Sequence, residues 1–236
     1  MIQVLDKGFV SHIDHMGSDR RIAEAAWVST AAAEGRPDTD VARLLGYLAR
    51  ENHWTPFGHA VVTLHLHWPL FVARQGMRST VGMVWNEESR RYIDTPPAFY
   101  HPTKWRSVPA KSIKQGSGPA LPLNLQTAAD AVVRGVEGDQ MVAYNRLIDL
   151  GVAKEQARIV LPQSMYTQCY LTASLAALAR FCKLRADHHA QWEIQQYAHA
   201  ISTIVSPLFP VAWRCLMGQV QEITRNGTEA EGDASE

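Results

Sequence analysis

The sequence predicts an α+β protein, with several helices packed on a small, mostly antiparallel sheet. The clearest strand signal is the alternation of Val62, Leu64 and Leu66 with polar residues, which is the period of a strand that buries one face. Beyond residue 123, apolar residues recur every three or four positions over most of the chain, which predicts helices. At 236 residues, of which 46% are hydrophobic, the chain is long enough to bury a substantial core.

The N-terminal part of the chain carries both patterns. Residues 2–16 mix apolar and polar positions as a strand does, and Gly8 is predicted to interrupt them. Ser18 is predicted to cap the helix SDRRIAEAAWVST, because a serine oxygen accepts from the free N–H groups of a first turn. Asp38 or Thr39 is predicted to cap the next helix in the same way. The apolar face of that helix consists of Val41, Leu44, Leu45 and Leu48.

A short helix is predicted directly after the alternating strand. Pro69 ends the strand and suits the first turn of the helix PLFVARQGM. Arg74, Gln75 and Arg78 would then project from the end of this helix. The stretch 90–105 is closed by prolines and is predicted to be extended.

The second half of the chain is predicted to be helical. The predicted helices cover residues 125–150, 152–162, a segment around 171–182, 189–205 and 208–220. The buried face of the third of these is predicted to consist of Leu171, Leu175, Leu178 and Cys182. Asp187 is predicted to be the N-cap of the fourth.

Composition predicts one globular domain over residues 1–224 and excludes several classes of function. Residues 225–236 are acidic and lack apolar content, so we expect a disordered tail. Lys+Arg and Asp+Glu both number 23, so the general positive field of a nucleic-acid or membrane binder is missing. The start of the chain does not resemble a signal peptide, and the three cysteines form no CxxC pair. We therefore predict a cytoplasmic protein with reduced thiols and no metal site.

Arginines at the ends of apolar segments are the main functional signal. They occur in residues 74–92, at Arg158 and in residues 185–191, and guanidinium groups bind phosphate or carbonyl oxygens in a bidentate way. Each has a plain structural alternative: Glu88, Arg90 and Arg91 taken alone are typical of a solvated strand face. Ser89 has no evident activating base, and the GxSxG, Walker and GxGxxG motifs are missing. The residues alone thus indicate an anion-binding protein, with a nucleotide enzyme as the hypothesis.

Three further groups have a structural and a functional interpretation. His65 and His67 share one strand face and could form a metal pair, but a third ligand is missing nearby, so packing is favoured. Trp85 is more typical of packing than of ring stacking with a ligand. Either histidine of the pair His188–His189 could be functional or structural.

Six motifs in order resemble the flavin-dependent thymidylate synthases over about residues 2–217. They are IQVLDKGFV, TPFGH, PLFVARQ, NEESRRY, ARIVLPQSMYT and LRADHHAQWEIQQYA. The resemblance implies a homotetramer in which several subunits build each active site. It also implies FAD as cofactor, methylenetetrahydrofolate as carbon donor, NADPH as reductant of the flavin and methylation at C5 of dUMP.

The resemblance also implies roles for individual residues. The nucleotide-binding set would be Gln75, Glu87, Ser89, Arg91, Arg158 and Arg185. Arg185 would be catalytic, because it would face the uracil ring and stabilise negative charge as C5 becomes nucleophilic. The flavin-binding positions would be His53, Thr55, Arg78, Ser174, Arg180 and His189.

The chain departs from the family pattern at several of these positions. Ser79 stands where the signature has histidine, eight residues rather than seven precede Ser89, and Gly58 replaces a common acidic residue. Ser174 and Arg180 stand where asparagine is frequent near the flavin. Three readings follow: a dUMP methylase as the default, a methylase of UMP or of both nucleotides as in nucleoside-antibiotic biosynthesis, or a degenerate member that binds nucleotide without catalysis.

Overall fold

A computed structural model describes residues 1–30, 37–109 and 116–218 of the chain. It contains a five-stranded antiparallel sheet with strand order β1-β2-β3-β5-β4. The strands are β1 (Ile2–Val4), β2 (Gly8–Met16), β3 (Val61–Pro69), β4 (Met83–Glu87) and β5 (Tyr166–Ser174). The predicted α+β class with a small antiparallel sheet is confirmed. The predicted acidic tail, 225–236, lies outside the described residues.

Eight α-helices surround this sheet in the part of the chain that the structure describes. They are α1 (Asp19–Trp27), α2 (Asp38–Arg50), α3 (Leu70–Gly76), α4 (Leu123–Asp149), α5 (Lys154–Ala157), α6 (Leu175–Arg185), α7 (Trp192–Val205) and α8 (Pro210–Met217). None of these described helices combines the length and apolar character that crossing a bilayer requires.

The predicted strand around Val62 is the central strand β3. Val62, Leu64 and Leu66 are fully buried, and the alternate side chains of the strand face away from the core. On that other face His65 bonds to Gln168 across the β3–β5 ladder, and the ring of His67 stacks on that of Tyr166. The two histidines therefore take packing and hydrogen-bonding roles within the sheet.

The prediction that Gly8 interrupts the first strand segment is wrong, because Gly8 is the first residue of β2. The break lies at residues 5–7, where Leu5 has a φ of 60°. A Cβ at Gly8 would lie 2.0 Å from the Tyr197 hydroxyl and 2.7 Å from the Val4 carbonyl oxygen. Glycine is thus required here for close packing within the sheet, and not for a turn.

The caps of the first two helices follow different rules. Ser18 caps α1 as predicted, and its Oγ accepts from the Arg21 N–H at 3.1 Å. Neither Asp38 nor Thr39 caps α2, because the N-cap is Pro37 and the helix begins at Asp38. Asp38 instead accepts from Arg20 Nη1 at 3.1 Å in a solvent-exposed ion pair.

The predicted helix around residues 171–182 is wrong in its first part. Leu171 lies in β5, and α6 begins only at Leu175, capped by Ser174, whose Oγ accepts from the Ala177 N–H at 3.3 Å. The predicted buried set is nevertheless confirmed, since Leu171, Leu175, Leu178 and Cys182 are all fully buried. A spacing of four residues fits one face of a strand as well as one face of a helix, which explains the error.

The remaining predicted elements are close to those observed. The prediction of residues 125–150 as helical is confirmed by α4, whereas 152–162 contains only α5 and a 3-10 turn, Arg158–Val160. The stretch 90–105 forms no helix, and Phe99 pairs with Met165 in an isolated antiparallel bridge.

Helix α4 has two distinct faces. Glu137 is its buried residue and accepts from the Ser164 hydroxyl at 2.6 Å, with His101 Nε2 at 3.3 Å. About a quarter-turn or more away, Leu125, Val132 and Val136 form an exposed apolar stripe at helical spacing. A 27-residue helix with such a stripe has a second surface available for packing.

The carboxylate of Asp19 caps the last helix from a distant part of the chain. Its two oxygens accept from the Val211 and Ala212 N–H groups at 2.9 and 2.8 Å, at the start of α8. Negative charge at a helix N-terminus is stabilising, so this contact joins α1 to α8.

Asp19→Ala is expected to lower the free energy of unfolding by about 1–2 kcal/mol, the usual effect of a lost cap, as measured by urea denaturation. Asp38→Ala is the control, because it removes an exposed carboxylate that caps no helix, and its effect should stay within about 0.5 kcal/mol. Equal losses in the two variants would contradict the capping role of Asp19.

Candidate functional site

Two arginine side chains lie close together at the end of α6. Arg185 Nη2 donates to the Gln75 carbonyl oxygen at 2.7 Å, while Arg185 Nε is enclosed without a hydrogen-bond partner. Burial lowers the pKa of the Arg185 guanidinium, and the neighbouring positive charge of Arg78 lowers that pKa further. Within the described ranges neither arginine forms an ion pair with a carboxylate. A partly buried guanidinium, Arg185, with an exposed one, Arg78, beside it and no described carboxylate paired with either, favours the binding of an anion or of a polarised carbonyl.

Gln75 is part of the same cluster through its side chain. Its Nε2 donates to Gln191 Oε1, and Gln191 Nε2 donates to Glu193 Oε2 at 2.9 Å. Gln75, Arg78 and Arg185 are therefore brought together by α3, the turn after it and α6. We call these three residues the α6 cluster.

A second cluster lines an open cavity of about 700 Å³ near the end of β4. Glu87 and Arg158 line it, as do Arg74 and Arg90, two arginines outside the set that the family resemblance implied. Glu87 is held in place by the Thr167 hydroxyl, which donates to its Oε1 at 2.9 Å. Three carboxylates, of Glu87, Glu88 and Glu155, also line the cavity, so its lining has no net charge. A phosphate there would be bound by individual guanidinium groups through bidentate hydrogen bonds.

Ser89 and Arg91 lie in the loop that follows β4. Arg91 Nε donates to Ser89 Oγ at 3.0 Å, and the guanidinium lies over the Tyr92 ring at 5.0 Å from its centroid. The interpretation of Glu88, Arg90 and Arg91 as a strand face is wrong, because β4 ends at Glu87. We call the cavity residues together with Ser89 and Arg91 the β4 cluster.

Most residues implied for flavin binding lie at the other end of the sheet: His53, Thr55, Ser174 and Arg180. Arg78 belongs to the α6 cluster, and His189 lies in the turn after α6. Ser174 ends β5 and caps α6, and Arg180 Nη2 donates to the Val81 carbonyl oxygen at 2.7 Å. That bond holds the turn before β4 against α6. Gly82 in this turn has a φ of +74°, and a Cβ there would lie 3.0 Å from Ser174 Oγ. A larger residue would therefore strain the turn and displace the Ser174 side chain that caps α6.

His53 and Thr55 are exposed next to this end of the sheet. Thr55 begins the 3-10 turn Thr55–His59, which packs against α6, and the His53 ring meets that of Tyr47 edge-on at 5.9 Å. Exposed rings and hydroxyls of this kind are available to a large ligand.

The turn between α6 and α7 corrects one prediction. Asp187 does not cap α7, because the N-cap of that helix is Gln191. Instead, Asp187 Oδ1 accepts from the N–H and Nδ1 of His189, at 2.8 and 2.9 Å. These bonds lower the pKa of Asp187 and orient the His189 ring. The ligand atoms of Asp187, His188 and His189 lie within 4.8 Å of one another, but all three side chains are exposed.

The register of β4 on β5 gives the distance between the end of the sheet near Glu87 and the end near Ser174. Glu87 pairs with Cys169, so Ser174 lies five residues further along β5, or about 17 Å at the usual rise of a strand. Neither Gln75 nor Arg185 lines the cavity near Glu87. One chain therefore presents the implied site residues in separate clusters.

The cysteines are poor candidates for a nucleophile. Burial raises the pKa of the Cys169 and Cys182 thiols to about 12, and it also raises the pKa of Cys215. Thiols with such values remain neutral near pH 7, and the thiolate is the reactive form. The side chains that face solvent in the clusters act by charge and hydrogen bonding.

Sequence reasoning named Arg74 among the candidate anion-binding arginines, and its place in the cavity agrees with that. It interpreted Arg90 as part of a strand face, whereas Arg90 also lines the cavity. It missed Arg106, which binds the buried carboxylate of Glu193 at 2.7 and 2.9 Å. The sequence offered one signal for this pair, an acidic residue at the start of the apolar face of α7.

Comparison with known proteins gives one family. The family model described as thymidylate synthase complementing protein matches residues 12–211. A flavin-dependent thymidylate synthase of Thermus thermophilus is 45% identical over 212 residues, covering 90% of this chain and 76% of its own. The flavin-dependent thymidylate synthase of Thermosipho africanus is 41% identical, over 88% of this chain and 90% of its own.

Solved structures agree with this result. The crystal structure of a UMP/dUMP methylase, PolB from Streptomyces cacaoi, bound with 5-Br dUMP has a TM-score of 0.80 and 31% identity. It covers 92% of this chain and 97% of its own. The same methylase bound with 5-Br UMP has a TM-score of 0.81 and 30% identity, over 92% of this chain and 96% of its own.

The unpaired guanidiniums predict that anions stabilise the protein. Inorganic phosphate, added at constant ionic strength, should raise the unfolding temperature by about 2–4 °C through preferential binding to the folded state. Arg158→Met should lose at least half of this rise in differential scanning fluorimetry, because Arg158 lines the cavity of the β4 cluster. Arg43→Met, which removes an exposed arginine paired with Asp40, should retain it. Equal rises in all three proteins would contradict anion binding at the β4 cluster.

Proposed function

The chain belongs to the flavin-dependent thymidylate synthase family, and from this membership we propose that it is a FAD-dependent uridylate C5-methyltransferase. dUMP is the default substrate, methylenetetrahydrofolate the carbon donor and NADPH the reductant. The observation that carries the proposal is the α6 cluster, where two neighbouring guanidiniums lack carboxylate partners in the described structure. Such a pair suits the carbonyl and developing charge of a uracil ring.

The β4 cluster supplies what the phosphate and ribose of the nucleotide need. Arg158 and Arg91 are exposed guanidiniums that can neutralise a phosphate dianion. Glu87, fixed by Thr167, can accept from a ribose hydroxyl. The Ser89 hydroxyl accepts from Arg91, so it is oriented as a hydrogen-bonding group and not activated as a nucleophile.

The residues at the far end of the sheet fit FAD. Arg180 supplies positive charge for a pyrophosphate, Ser174 and Thr55 supply hydroxyls, and His53 is an exposed ring. Arg78, which the resemblance also implied for the flavin, lies instead beside Arg185 in the α6 cluster. When bound and reduced, FAD supplies the hydride of the reaction. The chain itself binds and orients the nucleotide, and Arg185 stabilises negative charge on the uracil as C5 becomes nucleophilic. Because the thiols are buried and neutral, the carbon is proposed to pass to C5 without a cysteine adduct.

UMP is the second candidate substrate. The observation that favours it is the similarity to a methylase whose crystal structures hold 5-Br UMP as well as 5-Br dUMP. The two nucleotides differ by one 2′-hydroxyl, and a site that hydrogen-bonds to that group can discriminate strongly. A non-catalytic nucleotide-binding role is less well supported, because Arg78, Ser89, Arg91, Arg158 and Arg185 are all present.

We further propose a homotetramer with active sites shared between subunits. Neither Gln75 nor Arg185 lines the cavity of the β4 cluster on one chain, which supports sharing, since a nucleotide could contact both sets where two copies meet. The exposed apolar stripe of α4 at Leu125, Val132 and Val136 supports a large interface. Residues 1–224 are proposed to form one catalytic domain, which the single hydrophobic core of the described part supports.

Purified protein is expected to bind FAD and to methylate dUMP with NADPH and methylenetetrahydrofolate. The assay offers dUMP and UMP separately and then in competition, with detection of the methylated nucleotide by chromatography. Protein that takes up no FAD would favour the non-catalytic reading. Equal turnover of uridylates and cytidylates would contradict uracil recognition.

Arg185→Ala is expected to reduce kcat by about 10²–10³, because it removes a donor aimed at developing charge. Arg43→Ala is the control and should keep wild-type kcat, since Arg43 is exposed on α2. Near-normal turnover of the Arg185 variant would exclude this residue from the reaction.

Mixing two variants that each lack one arginine tests whether sites are shared. Arg185→Ala and Arg158→Ala carry lesions in different clusters, so after dissociation and reassembly about a quarter of sites should contain both arginines. Arg185→Ala mixed with Gln75→Ala is the control, because these two residues are bonded within one chain and every site would lack one of them. The control mixture should therefore not exceed the mean activity of its two unmixed variants. Recovery in neither mixture would contradict sharing between the α6 and β4 clusters.

A further inference from the structure

A buried carboxylate lies behind the α6 cluster. Glu193 is 3% exposed and accepts from Arg106 Nη2 at 2.7 and 2.9 Å and from the Tyr100 hydroxyl at 3.2 Å. The Arg106 guanidinium in turn lies over the Trp192 ring, 5.5 Å from its centroid. A carboxylate this deeply buried is stable as an anion because the guanidinium balances its charge.

The charge of Glu193 determines the orientation of the next side chain. An ionised carboxylate can only accept hydrogen bonds, so Gln191 must turn its Nε2 towards Glu193, at 2.9 Å. Gln191 Oε1 then faces the opposite way, towards Gln75. Gln75 must present its own Nε2 to that oxygen, as observed.

The same residue is fixed a second time through its backbone. The Gln75 carbonyl oxygen accepts from Arg185 Nη2 at 2.7 Å, so Gln75 links the carboxylate of Glu193 to the guanidinium of Arg185. Its Oε1 and second N–H are left for other partners. Reversal of either amide would place two donors or two acceptors against each other, so one orientation of Gln75 is strongly preferred.

We propose that Glu193, acting through Gln191, is a positioning residue that sets the orientation of the Gln75 side-chain amide, beside Arg185, for nucleotide binding. This inference rests on the proposed function, because it assigns a purpose to the α6 cluster. Neither residue is proposed to touch the reacting atoms. We call the hydrogen-bonded chain Glu193–Gln191–Gln75 the relay. If Glu193 positions Gln75 in this way, interrupting the relay should selectively lower the affinity for the nucleotide.

Gln191→Met tests the relay, because it removes both bonds of the amide and leaves the Arg106–Glu193 ion pair intact. The KM for dUMP, or for UMP if that is the substrate, should rise about tenfold, the effect expected of one lost buried hydrogen bond. FAD binding and the unfolding temperature should remain close to those of the wild type. Gln196→Met is the matched control, because Gln196 lies on the same helix and bonds only to the Trp192 carbonyl oxygen.

A double-mutant cycle separates positioning from general destabilisation. If Gln191 acts through the Gln75 side chain, Gln191→Met should change the KM less than about twofold in a Gln75→Met background. The relay would be overturned if the KM effects of the Gln191 and Gln75 variants multiplied in the double variant. It would also be overturned if the Gln191 variant had the same KM as the Gln196 control. Wild-type protein that neither binds nor methylates uridylate would instead contradict the proposed function. If Gln191→Met does not fold, the same cycle is carried out with Gln191→Asn, which keeps an amide that is too short to bridge Glu193 and Gln75.

Discussion

The nine-residue antiparallel ladder between β3 and β5 is the constraint on which the rest of the structure depends. It pairs Val61 with Ser174 at one end and Pro69 with Tyr166 at the other. Both strands continue without a loop into a helix, β3 into α3 and β5 into α6. Because those helices carry Gln75 and Arg185, the register of the ladder sets where these side chains lie. A shift of one residue would turn the buried leucines outwards and misplace both helices.

Sequence reasoning succeeded where a pattern was both local and unambiguous. The alternation around Leu64, the Ser18 cap and the long helix α4 were all predictable, since each depends on neighbours along the chain. Leu171 was assigned to a helix because its spacing to Leu175 fits both element types. The short edge strand β4 was not identified, since only Met83 in it is buried and the usual alternation is therefore weak.

The candidate site was predictable as residue types but not as an arrangement. Family resemblance implied Arg185 and Gln75, yet the hydrogen bond between them joins positions 110 residues apart. Arg106 was missed for the same reason, since its partner Glu193 is 87 residues away. Arg78 was assigned to the flavin, whereas the structure places it beside Arg185. It therefore links the two implied binding sets, which no local pattern could reveal.

Main-chain hydrogen bonds hold the turn that contains Ser79, the position where the family signature has histidine. The indole Nε1 of Trp85 donates to the Ser79 carbonyl oxygen at 2.9 Å, and that ring stacks on Trp68. The Ser79 N–H donates to Gly76, and Arg180 donates to the Val81 carbonyl oxygen. All of these bonds use the main chain of the turn, so the side chain at position 79 does not determine its shape. Replacement of the family histidine by serine can therefore alter contacts to a ligand while Arg78 keeps its place beside Arg185.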